Sequence, residues 1–158
     1  MTGSPYRTAL LGTGRIGSHH ARTIHREVHG LDLVLLADPV AGIARTLAEE
    51  LGVERAGTDP VAAATDEDVD AVVITTPART HVDLVAATIE AGKHVFVEKP
   101  MALTVADNDR SCHVLESKNP LAELQNNLNC KKYPHPHLTS PASDPRFYPS
   151  SKDLLLGF

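Results

Sequence analysis

Tryptophan is absent, and only three tyrosines, three phenylalanines and two cysteines occur among the 158 residues. Two cysteines, Cys112 and Cys130, suggest no disulfide framework, so a reducing cytoplasm is the expected compartment. Positive charge is not in surplus: the net charge is −5 and no basic cluster is interleaved with aromatics. Neither nucleic acid nor an anionic membrane is therefore an expected partner. No apolar run approaches the roughly 20 residues that a membrane-spanning helix needs. The opening "MTGSPYRTALLG" has neither a charged n-region nor a long apolar h-region, so no secretory signal is expected. What is left, at 42% hydrophobic and 22% charged, has the composition of a soluble globular chain of one-domain size.

A second set of absences divides the chain. Residues 1–107 contain no Asn, Gln or Cys, whereas Asn108, Asn119, Gln125, Asn126, Asn127, Asn129 and both cysteines follow. After Ala106 the only alanines are Ala122 and Ala142. Prolines at 134, 136, 141, 145 and 149, in the company of Tyr133, Phe147, Tyr148 and Phe158, forbid long helices and central strands there. The expected organisation is a folded domain at 5–110 and an irregular, Pro/Asn-rich tail at 111–158.

Along the expected domain, strand-like and helix-like patterns alternate. Continuous apolar β-type runs at 6–12, 31–38, 70–76 and 93–99 suit strands buried on both faces of a parallel sheet, and a shorter candidate strand spans Val53 to Ala56. Between them, Ile43, Leu47 and Leu51 fall at i, i+4, i+8 before Gly52, and Val82, Val85, Ala86 and Ile89 at i, i+3, i+4, i+7 before Gly92. "THVD" (80–83) and "TVAD" (104–107) read as capped helix starts, with Thr80 and Thr104 at the caps. Strands alternating with helices imply right-handed crossovers and a doubly wound α/β sheet of the Rossmann type.

Two motifs carry chemistry. "ALLGTGRIGSHHA" places Gly12-x-Gly14-x-x-Gly17 after the first strand and at the start of a helix. Gly12 permits the tight turn, Gly14 lets the backbone approach a pyrophosphate, and Gly17 lets helix and strand pack closely. Thr13, Arg15 and Ile16 complete this loop, whose free N–H groups face the phosphates with the helix dipole behind them. Asp38 ends the second strand 21 residues after Gly17, where its carboxylate would accept the adenosine ribose hydroxyls. The same carboxylate repels a 2′-phosphate, and the following Pro39 and Val40 supply no arginine to receive one, so NAD is favoured over NADP. The next strands end in Thr75-Thr76-Pro77 and Glu98-Lys99-Pro100, at the edge where open parallel sheets bind ligands. Pro77 stops its strand and holds Thr76 extended, with backbone and hydroxyl toward the cofactor. Lys99 is expected to point into the same crevice. A positive charge there stabilises a developing alkoxide during hydride transfer from an alcohol, and partial burial would lower its pKa. Glu98 is placed to hold Lys99 or a ribose hydroxyl.

Together "GTGRIGSHHA", "ADP", "TTPARTH" and "AATIEAGKHVFVEKPMALT" resemble the N-terminal domain of the glucose–fructose oxidoreductase, inositol dehydrogenase and rhizopine-catabolism family (Gfo/Idh/MocA), over roughly residues 6–110. Within the family the run is similar to the myo-inositol 2-dehydrogenase branch. The resemblance implies a Rossmann-type NAD(P) domain, Lys99 as the active-site lysine, and cofactor contacts at Gly12, Gly14, Gly17, Asp38, Thr76, Pro77, His81 and Glu98. Two readings stay open for His81, a place near the nicotinamide and packing at a helix start; for His20, which matches a family position on a helix face, packing is expected. By family the implied activity is NAD-dependent oxidation of a polyol or sugar hydroxyl.

Family members continue into a second α/β domain that binds substrate, builds a homo-oligomer and, in the inositol dehydrogenase type, supplies an Asp and a His that act with the lysine. Residues 111–158 match none of this, and His113, His135 and His137 lack a motif that would nominate a base. With Cys112 and Cys130 they fit no standard zinc spacing, so they are read as dispersed residues and no metal is expected. "SKDLLLGF" (151–158) is read as a frayed end. The alternative functions are therefore a truncated, non-catalytic dinucleotide-binding fragment and a regulatory subunit of a full-length relative.

Overall fold

The apolar runs separated by amphipathic helices fold as alternating strands and helices. A computed structural model describes residues 4–104, 106, 107, 109 and 110; the tail expected at 111–158 lies outside the described residues. In chain order the elements are β1 (Tyr6–Leu11), α1 (Arg15–Glu27), β2 (Leu31–Ala37), α2 (Ile43–Leu51), β3 (Arg55–Gly57), α3 (Pro60–Thr65), β4 (Ala71–Ile74), a 3₁₀ turn (Ala78–Thr80), α4 (His81–Glu90) and β5 (His94–Val97). The sheet has five strands in the order β3-β2-β1-β4-β5, and every pair is parallel. The strand order reverses direction between β1 and β4, which creates a switch point above their carboxyl ends.

The two faces of the sheet are covered separately. Leu10, Leu36 and Val73 pack with Ala21 and Ile24 of α1 and Leu47 and Leu51 of α2. Leu11, Val72 and Ile74 pack with Ala63 and Ala64 of α3 and Leu84, Val85 and Ile89 of α4. Helices on both faces explain why the central strands read as unbroken apolar runs rather than alternating ones. Strand β2 departs from simple alternation: Thr8 pairs with Leu33 but Ala9 with Leu35, so Val34 is skipped. Leu33 and Leu35 consequently enter opposite core layers.

Several expectations are corrected. The short third strand lies at Arg55–Gly57 rather than starting at Val53, which is instead a core residue. Strand β5 has one neighbour among the described residues and is not buried on both faces; Phe96 is 52% exposed. The buried stripe of α2 is Ala44, Leu47, Ala48 and Leu51, and Ile43 stands outside it. Gly52 ends that helix in the left-handed region (φ 72°). Thr80 precedes α4 without a side-chain cap, because its hydroxyl is turned back toward Pro77 O (2.8 Å) and Thr76 Oγ1 (2.7 Å). At Thr104 the expected pairing is present: Oγ1 accepts from Asp107 N (3.1 Å) and donates to Asp107 Oδ2 (2.7 Å). No helix among the described residues is long and apolar enough to cross a membrane.

Candidate active site

At the switch point the loops after β1, β2 and β4 leave a cavity of about 800 Å³. Gly12, Gly14, Arg15, Ile16, Asp38, Thr75, Thr76 and Pro77 all line it. Thr13, Gly17, His81, Glu98 and Lys99 are not among its lining residues. The cavity also takes in residues that the sequence motifs did not nominate: Pro39, Val40 and Ile43 after β2, Pro60 and Val61 at the start of α3, and Arg79, Thr80, Asp83 and Leu84 around the start of α4. Val40, Ile43 and Val61 are exposed apolar side chains, at 57%, 42% and 53%. One signal could have found them, namely their place just beyond the carboxyl ends of β2 and β3.

The three glycines differ in what they need. Gly12 adopts φ +88°, and a Cβ there would lie 2.7 Å from Thr76 N. A Cβ on Gly17 would overlap Gly12 O and lie 2.7 Å from Thr75 Oγ1, so the close packing of α1 on the loop depends on its absence. Gly14 has an ordinary negative φ of −62°, and a Cβ there would meet no atom within 4 Å. Nothing among the described residues demands glycine at 14, and Gly14 lines the cavity. Gly14 is also the N-cap of α1, with no side-chain cap and no acidic residue in the first turn. The first N–H groups of the helix are left without side-chain acceptors at the cavity floor.

Asp38 is 8% exposed and ties this floor together. Its Oδ2 accepts from Thr13 N (2.7 Å) and Thr13 Oγ1 (3.1 Å), and its Oδ1 accepts from Val40 N (2.9 Å). An ionised carboxylate has about four acceptor sites, so Oδ1 keeps capacity for a further donor. The Thr75 hydroxyl is spent on Leu11 O (2.9 Å) and Gly12 O (2.6 Å), which binds β4 to the glycine loop. The Thr76 backbone carbonyl faces His81 rather than the cavity, with Nε2 2.7 Å away. His81 is 1% exposed, and its Nδ1 lies 2.9 Å from Pro100 O.

The lysine turn follows β5. Glu98 N donates to Ile74 O (2.9 Å), which continues the sheet ladder by one residue. Both oxygens of Glu98 are engaged: Oε1 with His20 Nε2 (2.7 Å) and Oε2 with the backbone N–H of Lys99 (3.0 Å). These donors, His20 first, hold the Glu98 carboxyl below the usual glutamate value. Glu98 thus grips the backbone of Lys99, not its ammonium. Lys99 is exposed, so the partial burial expected of it is not found. His20, expected to do no more than pack, makes the contact with Glu98 and an edge-on contact with Phe96 at 5.9 Å.

The family described as "Oxidoreductase family, NAD-binding Rossmann fold" (GFO_IDH_MocA) matches residues 6–125. The chain belongs to this family. Curated Gfo/Idh/MocA relatives include scyllo-inositol 2-dehydrogenase (NAD(+)) of Bacillus subtilis, 42% identical over 118 residues, covering 75% of this chain and 34% of the relative. Myo-inositol 2-dehydrogenase of Thermotoga maritima is 40% identical over 104 residues, covering 66% of this chain and 31% of the relative. Among solved structures, scyllo-inositol dehydrogenase of Lactobacillus casei with bound NAD(H) and scyllo-inositol superposes with a TM-score of 0.69 at 29% identity, covering 73% of this chain and 34% of that one. The chain thus spans about a third of the length of the relatives it matches.

Proposed function

We propose that this chain binds NAD in the switch-point cavity and presents Lys99 for oxidation of a polyol or sugar hydroxyl, of the inositol class that its relatives' names state. The observation that carries the reading is Gly14, a glycine with no steric need of its own at an uncapped helix start that floors a large cavity. A pyrophosphate fits that cradle, since the orphan N–H groups and the positive helix end stabilise an anion. Asp38 fits a ribose, with a spare acceptor site at the cavity wall, and its buried negative charge disfavours a 2′-phosphate. Val40, Ile43 and Val61 offer apolar surface for a flat base. The Gfo/Idh/MocA assignment and the scyllo-inositol dehydrogenase structure with NAD(H) support the same cofactor.

Bound NAD would supply a hydride acceptor. Lys99, as the ammonium, would hold positive charge near the substrate oxygen and favour the alkoxide as the hydroxyl proton leaves to solvent; a proton relayed through it would require that it first pass one of its own to solvent. Residues 5–110 form the cofactor unit in this reading, and the small number of cysteines supports a cytoplasmic setting. Calorimetric titration with NAD and NADP, followed by a turnover panel of scyllo-inositol, myo-inositol and simple sugars, tests it. NAD should bind more tightly than NADP. Absence of heat and of any thermal shift at millimolar NAD overturns the cofactor assignment. NAD binding with no turnover on any polyol reduces the function to dinucleotide binding.

A further inference from the structure

Lys99 poses a positioning problem. Its side chain is exposed, and its ammonium has no hydrogen-bond partner among the described residues, so its aim must come from the backbone on either side. A free lysine stem samples many rotamers, and any slack in the turn adds to that spread. The two flanks of the turn are each held by a histidine. On the amino side, His20 of α1 reaches across 78 positions to Glu98 Oε1 at 2.7 Å, while Oε2 accepts the Lys99 N–H. An ionised carboxylate only accepts, so Nε2 of His20 must carry the hydrogen. On the carboxyl side, His81 sits between Pro100 O and Thr76 O at 2.9 and 2.7 Å. Both are carbonyl acceptors: a ring with one N–H bonds one of them, and a ring with two bonds both.

We infer that His20 and His81 are positioning residues that clamp the Glu98-Lys99-Pro100 turn from both sides and tie the lysine to the cavity. The clamp rests on the reading of Lys99 as the site lysine. Each histidine joins the turn to an element that builds the cavity. Helix α1 begins with Arg15 and Ile16 at the cavity floor, and Thr76 is in its wall. A cofactor that orders the glycine loop therefore acts on Lys99 through His20, and one that orders the end of β4 acts on it through His81. The edge contact with Phe96 sets the plane of the His20 ring.

The test uses the full chain and does not need turnover. In His20→Phe, which keeps an aromatic ring beside Phe96 and removes the donor, amide hydrogen exchange at Lys99 should accelerate about tenfold, the scale of one charge-assisted hydrogen bond. Exchange in β1 and β4 should stay within twofold, about the scatter of such data. Acylation of Lys99 by an amine-reactive ester, read by peptide mass spectrometry, should change in rate in the same variant. His20→Gln, which restores a neutral donor, should recover most of the protection. His81→Gln should loosen the other flank, read at the Met101 amide; because His81 is buried, the His20 pair decides the matter if that variant does not fold. Unchanged Lys99 exchange and acylation in a folded His20→Phe overturn the clamp, and so does failure of His20→Gln to rescue. Loss of the clamp with intact NAD binding, or the reverse, shows which of the two readings has failed.

Discussion

The two ends of the sheet are built on opposite principles. At the amino ends of the strands the cationic side chains are given partners. Arg7 sends Nε and Nη2 to Asp70 (3.1 and 3.0 Å) and Nη1 to Asp68 (3.1 Å). Arg55 pairs with Asp66, and Lys93 Nζ donates to the carbonyls of Asp66 (2.5 Å) and Val69 (2.6 Å). At the carboxyl ends the reverse holds: helix α1 starts without a cap, Gly14 leaves open space, apolar side chains face the cavity and the Lys99 ammonium has no hydrogen bond among the described residues. One end consumes its polar groups internally; at the other, Thr75 and Glu98 are engaged while the first N–H groups of α1 and the Lys99 ammonium stay unspent among the described residues.

The largest effect expected from breaking this contrast is at Gly17. Gly17→Ala drives a methyl into Gly12 O and should cost about 3 kcal/mol of stability, seen as a lower denaturant midpoint. Asp38→Ala should cost ~1.5–3 kcal/mol of NAD binding in calorimetry, and it also frees the Thr13 and Val40 amides. An unchanged NAD affinity would show that Asp38 serves only the loop. Gly14→Ala sharpens the comparison with Gly17: it should change stability by only about 1 kcal/mol or less while weakening NAD at least tenfold, about one hydrogen bond's worth. The smallest effect is at the closed end. Arg7 lowers the Asp70 pKa from 3.8 to about 2. Stability from this pair is fully present above 3.8 and is lost as pH falls toward about 2, because the unfolded chain takes up the proton first. Asp70→Asn should flatten that stretch of the stability–pH curve in acid titrations monitored by circular dichroism.

Most of the fold was legible because the signals were local. Unbroken apolar runs marked the strands, and Gly52 marked the end of α2. Helix α3 was missed because six residues, "PVAAAT", are too short to show a period. Only Asp59, whose carboxylate accepts from Val61 N and Ala62 N, betrays its start. Ile43 fitted the helical spacing yet faces the cavity, since periodicity reports an apolar stripe and not what covers it. The glycine loop and Asp38 were legible as types in sequence. The engagement of Glu98 by His20 was not, because the two lie 78 positions apart and meet only where the His20 side chain reaches Glu98 and Phe96 in the folded chain.

The skipped residue in β2 has a mechanical consequence. Val34 separates two independently registered halves of the strand, Leu31–Leu33 on Tyr6–Thr8 and Leu35–Ala37 on Ala9–Leu11. The second half is latched to the loop by Gly12 N on Ala37 O at 2.7 Å, directly before Asp38. The bulge therefore gives the two halves separate registers, and the distance of the carboxylate from the glycine loop is set by the second half alone.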